Sequence, residues 1–215
     1  QTIYFLYYFF LKKIENTSPS FDKGVSVIIC AHNEIDNLKR FLEHFLKQSH
    51  STFEVILVND RSTDGTKEYL STISNPKLKT ININQTPKGW NHKKWALSQG
   101  SNFAKHEYLL FTDADCYPKT ENWIQSMAQG FINSQVVVGY SGYEEEPSFL
   151  NHFIQYETFF TAITYLGFAK KKINYMAVGR NFGIEKTLYT TFNFGAFKHL
   201  TGGDDDLIIN HLKPN

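Results

Sequence analysis

Two short runs of mostly β-branched residues, 25–30 (Val-Ser-Val-Ile-Ile-Cys) and 53–58 (Phe-Glu-Val-Ile-Leu-Val), bracket a stretch in which Leu38, Phe41, Leu42, Phe45 and Leu46 recur at helical spacing. Near-continuous apolar strands of this kind are buried on both faces of a parallel sheet, and two parallel strands need a crossover between them, which the helix supplies. The alternation continues along the chain. A helix is predicted from near Ser62 or Thr63 through Leu70, a strand over 79–83, a helix over 95–104 and a strand over 108–111. This order implies an α/β fold with an open, mostly parallel sheet flanked by helices, whose ligands lie beyond the carboxyl ends of the strands.

Polar clusters fall at three of those ends: Ala31, His32, Asn33 and Glu34 after the first strand, 59–65 after the second, and Asp113, Ala114 and Asp115 after the fourth. Carboxylates at i and i+2 of an extended chain point to one side, so Asp113 and Asp115 can converge on a divalent cation; Asp-x-Asp also occurs in plain solvated turns. Asp60, Ser62, Asp64 and Gly65 superficially match the opening of a calcium loop, but its twelfth position is Ser71 rather than a bidentate Glu, and the segment follows a strand. Asp60 is better read as an acid that meets a ligand edge, Ser62 or Thr63 as the cap of the next helix, and Asp64 as favourable charge at that helix's N-terminus. Lys93, ahead of Lys94, sits at the mouth of a predicted helix after Gly89 and can complement a diphosphate or remain solvated surface. Asp204, Asp205 and Asp206 repel one another, so one of them could hold a raised pKa; a solvated acidic turn is the plain alternative. No G-x-G-x-x-G and no Walker-type loop is present, which argues against a Rossmann dinucleotide site or a P-loop ATPase.

A formal charge of +1 from 22 basic and 21 acidic residues gives no broad electrostatic footprint for nucleic acid. The two cysteines, Cys30 and Cys116, sit at strand ends rather than in a disulfide-like framework, which suits a reducing compartment. Residues 3–11 are apolar and aromatic but shorter than the roughly 20 residues that span a bilayer. The chain starts with Gln, and Lys12 and Lys13 follow, so residues 1–18 read either as the stump of a longer membrane helix or as an interfacial or packed segment. Residues 15–23 read as a linker, and 19–215 as one catalytic domain. Residues 149–169 are rich in Phe, Tyr, Ile and Leu and precede Lys170, Lys171 and Lys172; core helix, membrane-interface helix and platform for sugar rings all suit that composition.

Taken in order, 26–34, 58–66, 93–97, 112–115 and the Gly-Asp-Asp-Asp-Leu of 203–207 resemble the inverting family 2 glycosyltransferases of GT-A fold. The resemblance covers about residues 24 to 210. It implies transfer of a sugar from a nucleotide-sugar donor, most commonly UDP-linked, to a saccharide or lipid-linked acceptor, with Mg2+ or Mn2+. Ala31 and Glu34 fall where the family contacts the nucleoside, Asp60 where an acid accepts from the uracil ring, and Lys93 near the nucleotide. Asp113 and Ala114 fall on the nucleotide-sugar, with Asp113 near ribose or metal and Asp115 as the direct metal ligand. The general base is implied at Asp204, with Asp205 open, and Arg180 lies on the acceptor side, where it engages a sugar or phosphate or is simply an exposed arginine on a structural turn. Membrane-bound relatives of this kind carry a Gln-x-x-Arg-Trp motif and further membrane helices after the base, and the chain ends at Asn215 before either, so a C-terminal truncation is expected. Association with the cytoplasmic face of the inner or plasma membrane, and assembly of cell-envelope polysaccharide, follow as expectations from the same resemblance. A nucleotidyltransferase using similar strand-end acids, or a non-catalytic nucleotide-sugar-binding module, are the rival readings.

Overall fold

The computed structural model of the chain describes residues 20–173, 175–200 and 203–212, with Asp204 described by its backbone only. In chain order the main elements are β1 (Val25–Ala31), α1 (Ile35–Leu46), β2 (Phe53–Asp60), α2 (Thr66–Ser71), β3 (Leu78–Ile83), α3 (His92–Phe103), β4 (Tyr108–Asp113), α4 (Trp123–Ala128), β5 (Val136–Val138), α5 (Phe149–Lys170), β6 (Phe182–Glu185), α6 (Lys186–Thr191) and α7 (Asp204–His211). The strands form one sheet of order β3-β2-β1-β4-β6-β5. β1 to β4 run parallel, with Ala31 beside Asn59, Cys30 beside Asp113 and Asp60 beside Ile83, so the first four carboxyl ends are level. β6 joins β4 antiparallel and β5 joins β6 antiparallel. The mostly parallel α/β sheet expected from the sequence is therefore the observed one, with an antiparallel edge that the sequence reading left unassigned.

Period-two geometry sends alternate residues of β1 to opposite faces. Val25, Val27 and Ile29 pack with Leu38, Leu42 and Phe45 of α1 and Ile124 of α4. On the other face, Ile28 and Ile56 pack with Ala96 and Leu97 of α3 and Ile208 of α7. Each such fully buried aliphatic side chain contributes about 1.5–3 kcal/mol. Two polar residues interrupt these strands, Ser26 and Glu54, both buried. They satisfy one another: the Ser26 hydroxyl donates to Glu54 Oε1 at 2.7 Å, and the Lys105 N–H reaches the same oxygen at 2.8 Å.

Several expectations are corrected. Residues 20–23 are not linker, because Phe21 is buried edge-on against Tyr108 at 4.8 Å between ring centres and Lys23 donates to the Tyr108 hydroxyl at 3.0 Å. The remaining linker residues and the apolar 3–11 stretch lie outside the described residues. α2 starts at Thr66, preceded by Gly65 in a left-handed conformation (φ 93°), so neither Ser62 nor Thr63 caps it. The 149–169 stretch forms a helix, but only its later turns are held in the body, through Ala162, Tyr165 and Gly167. Its first three turns expose Phe149, Phe153, Tyr156 and Phe160, which share one face. Among the described residues no helix is long and apolar enough to cross a membrane.

Candidate functional site

The loops after β1 and β2 are stitched together before any ligand is considered. Asn33, in a left-handed conformation (φ 58°), donates its N–H to Ser62 Oγ at 2.9 Å and accepts at Oδ1 from the Thr63 N–H at 2.8 Å. Ser62 and Thr63 thus spend their polar atoms on the neighbouring loop. Asp64 serves two helix starts at once: one oxygen accepts from the Ile35 N–H at the head of α1 (3.0 Å), the other from the Thr66 N–H and hydroxyl at the head of α2 (3.0 and 2.6 Å). Burial works to raise the Asp64 carboxyl, but these hydrogen bonds outweigh it and hold the group below its ordinary value.

Asp60 closes β2 and is 3 % exposed. Both of its oxygens are taken by the adjacent Arg61, Nε to Oδ1 at 2.8 Å and an NH2 nitrogen to Oδ2 at 3.0 Å, a planar fork made possible by the left-handed backbone of Arg61 (φ 57°). A ligand edge arriving here therefore meets an Asp60–Arg61 pair rather than a lone carboxylate. Nothing in the sequence reading singled out Arg61; its signal, an arginine beside a strand-end acid, is common on surfaces. Ala31, fully buried, forms the floor of the same loop, and Glu34 accepts from Asn37 Nδ2 at 2.7 Å at the start of α1.

At the end of β4 the chain turns immediately after Asp113, the Cys116 N–H closing on the Asp113 carbonyl at 3.2 Å. The extended-strand geometry assumed for Asp113 and Asp115 stops at Asp113: Ala114 is buried and Asp115 stands exposed in the turn. Lys93, in the first turn of α3, pairs with Asp113 at 2.6 Å. Asn91 caps that helix by accepting from the Lys94 N–H, which sends the Lys94 side chain into the protein, 2 % exposed, and leaves Lys93 at the mouth. Burial, reinforced by nearby carboxylates, pushes both thiols up to about 12, Cys30 beside Asp60 and Cys116 beside Asp115. They stay protonated at neutral pH and are poor nucleophiles or metal ligands there.

A cavity of about 270 Å³ opens beside this corner, walled by Phe111, Phe182 and Tyr189. Its polar lining comes from both halves of the chain: Lys93 and Asp113 from α3 and β4, Arg180 from the 3-10 turn Gly179–Asn181, and Asp205 from the first turn of α7. Burial raises the Asp205 carboxyl above its ordinary value, against backbone N–H groups, including that of Gly179, that favour the charged form. Asp206 turns the other way and accepts the Ala177 N–H at 3.0 Å, a structural tie. The Asp204 side chain lies outside the described residues. Of the residues expected from sequence, Lys93, Asp113, Arg180 and Asp205 thus share one cavity, while Asp60, Ala31, Glu34, Ala114 and Asp115 lie at or just after the strand ends and do not line it. Asn181 was not anticipated. It accepts from Trp123 Nε1 at 3.1 Å, donates to the Tyr140 carbonyl at 2.9 Å and holds Gly139 N–H on its own carbonyl at 2.9 Å, which fixes the backbone that carries Arg180.

Among the described residues no three His, Cys, Asp or Glu side chains meet as a preformed metal cage. The carboxylates at this corner are Asp115, exposed in the turn, and Asp113, already paired with Lys93 at 2.6 Å. Mg2+-type ions are commonly held by one or two carboxylates, with waters and substrate phosphates completing the shell.

Comparison with known proteins bears on the fold and the family. Glycosyltransferase GlyG of Streptococcus pneumoniae is 32% identical over 124 residues, covering 56% of this chain and 40% of that protein. The UDP-Glc:alpha-D-GlcNAc-diphosphoundecaprenol beta-1,3-glucosyltransferase WfaP of Escherichia coli is 30% identical over 126 residues, covering 59% and 48%. The chain thus spans about half the length, or less, of these curated relatives. Among solved structures, the mannosyltransferase PcManGT of Pyrobaculum calidifontis, in complex with GDP-Man and Mn2+, superposes with a TM-score of 0.65 at 18% identity over 96% of this chain and 57% of that one. TarS 1-349 of S. aureus with UDP-GlcNAc gives 0.58 at 20% identity over 86% and 52%. These likenesses identify the fold as GT-A. The family model described as Glycosyl transferase family 2 matches residues 26–196, from β1 past the turn that carries Arg180, and the chain belongs to that family.

Proposed function

We propose that this chain is the donor-binding and catalytic domain of an inverting glycosyltransferase that uses a nucleotide sugar, UDP-linked, and glycosylates a saccharide or lipid-linked acceptor. The observation that carries the reading is the single cavity in which Asp113 and Lys93, beside the strand-end rim, meet Asp205 and Arg180. The rim residues Ala31, Glu34 and Asp60 serve the nucleoside, with Asp60 held by Arg61. Lys93 complements the diphosphate, and Asp115 with Asp113 would hold Mg2+ or Mn2+. Such a cation, when bound, neutralises the charge that develops on the departing nucleoside diphosphate. The acceptor hydroxyl oxygen bonds to the anomeric carbon as the carbon–oxygen bond to the diphosphate breaks, and Asp205 takes the hydroxyl proton. Asp205 is assigned this role because its carboxyl lines the cavity in an environment that raises its basicity; the Asp204 side chain lies outside the described residues. WfaP's acceptor, a sugar diphosphate on a polyprenol, supports a lipid-linked acceptor for this chain as well.

The same reading puts the enzyme at the cytoplasmic face of a membrane. The aromatic stripe Phe149, Phe153, Tyr156 and Phe160 supports this, together with Lys170, Lys171 and Lys172 at the far end of α5; Glu144, Glu145 and Glu146 at its near end oppose an anionic surface. Flotation with zwitterionic and anionic vesicles tests it, and no association with either removes the membrane from the proposal. For the chemistry, UDP-sugars with Mn2+ should release UDP slowly without acceptor. Asp115→Ala should abolish metal-dependent UDP binding, whereas Asp205→Asn should keep binding and lose transfer. Release of pyrophosphate from a nucleoside triphosphate instead would replace the glycosyltransferase by a nucleotidyltransferase.

A further inference from the structure

Arg180 has an unusual set of partners for a cavity arginine. Its backbone is fixed through Asn181, its guanidinium lies 5.1 Å from the centre of the Tyr143 ring, and one NH1 donates to the Tyr143 hydroxyl at 3.3 Å. Nε is buried and finds no hydrogen-bond partner. The ion pairs among the described residues join Lys47 to Glu43, Arg61 to Asp60 and Lys93 to Asp113, and none includes Arg180. So the two cations of the cavity differ: Lys93 is neutralised by a carboxylate, and Arg180 is not. A guanidinium with a desolvated, unused Nε–H is matched by a planar or tetrahedral oxyanion that can take two parallel N–H bonds, and phosphate is the common example.

We propose that Arg180 receives a phosphate in this cavity beyond the donor's own diphosphate, and so selects acceptors that carry a phosphate or diphosphate next to the sugar being extended. The proposal rests on the nucleotide-sugar reading of the site, and it assigns Arg180 to substrate choice rather than to proton transfer. Stacking on Tyr143 orients the fork, while Asn181 keeps the turn from relaxing when the anion binds. A neutral sugar hydroxyl can accept a hydrogen bond from Nε but brings no charge to match the guanidinium, so the phosphate is the better-matched partner.

The test uses inorganic pyrophosphate as the probe, titrated calorimetrically into the 215-residue chain already saturated with UDP and Mn2+. Pyrophosphate should bind the UDP-saturated protein, Arg180→Gln should weaken it at least about tenfold, and Arg180→Lys should fall between, because the charge is kept but the fork is lost. UDP affinity should stay within about twofold in both variants, and Tyr143→Phe, which keeps the ring, should leave pyrophosphate binding within about threefold. Should UDP binding fall about tenfold in Arg180→Gln while pyrophosphate never joins the UDP complex, the phosphate at Arg180 is the donor's and the proposal is overturned. Unchanged pyrophosphate binding in both Arg180 variants also overturns it. Failure of the wild-type chain to bind UDP at all would instead strike the nucleotide-sugar reading, and pyrophosphate titrated without UDP still reads the dependence on Arg180. Arg180→Lys serves where Arg180→Gln fails to fold, checked by thermal melting.

Discussion

Replacing Asp205 by Asn removes a base without changing shape, and the structure sets two consequences of opposite character. A positioned general base contributes about 10²–10⁴-fold to a transfer step, so kcat should fall by that factor, about 3–5 kcal/mol of barrier. Stability should move the other way. Burial is the main influence on the Asp205 carboxyl and penalises its charged form, while the amide keeps one oxygen to accept the backbone N–H groups that surround it. The folded state should gain, by no more than about 1 kcal/mol, which for a chain of this size raises Tm by about 2–4 °C at most. The pH dependence follows from the sign of the shift. A carboxyl raised above its ordinary 3.8 stays protonated to higher pH, so wild-type transfer should lose activity as pH falls through a value above that of an exposed Asp, and this acid limb should vanish from the residual activity of the variant. UDP release with Mn2+ and acceptor, UDP affinity by calorimetry, and scanning calorimetry measure the three parts. A kcat within tenfold of wild type, or a Tm lowered by more than about 4 °C, would refute the assignment of Asp205 as a base held in an unfavourable environment.

Asp64→Ala strips the acceptor from three donors at the heads of α1 and α2 and should cost about 2–3 kcal/mol by urea unfolding at pH 7. Because the folded carboxyl is held below 3.8, its stabilisation is complete above that value and is lost as pH falls through the lowered one; wild type and variant should therefore converge in strong acid, and a constant difference would contradict this. Gly183→Ala puts a methyl 2.8 Å from Leu110 Cδ2 and 2.9 Å from Phe131 Cζ, in β6 at the sheet's antiparallel edge, and should cost about 1–3 kcal/mol in the same assay; a neutral result would mean that those side chains repack freely. Lys93→Ala breaks a pair whose lysine is 55% exposed, so stability should change by less than about 1 kcal/mol while UDP affinity falls about tenfold. Equal UDP affinity would take Lys93 out of the donor site.

How far the site could be read from the chain differs from residue to residue for physical reasons. β1, β2 and β4 announce themselves because strands buried on both faces must be apolar along their whole length. β5 has three residues, all half-buried, and β6 begins inside Gly179, Arg180, Asn181, Phe182 and Gly183, where two glycines read as a turn. Gly183 is there for space, its Cβ position being filled by Leu110 and Phe131, neither of which is near in sequence. Ser62 and Thr63 have the composition of helix caps, yet their partner is Asn33, 29 and 30 residues away on another loop. The aromatic run at 149–169 is as consistent with a core as with a surface, and only packing shows that its first turns are uncovered.

What the amino-acid order alone determined is the alternation of apolar strands with amphipathic helices, and with it a parallel sheet whose strand ends bring Asp60, Asp113 and Asp115 to one rim; periodicity is a local property and survives without knowledge of contacts. That Asp205 lines the cavity while Asp206 holds the Ala177 N–H, that Asp60 is clasped by Arg61, and that Arg180 keeps an unpaired buried nitrogen were decided by the tertiary structure. Protonation and pairing depend on burial and on neighbours tens of residues distant, as when Asp205 settles beside Gly179 or Arg180 against Tyr143.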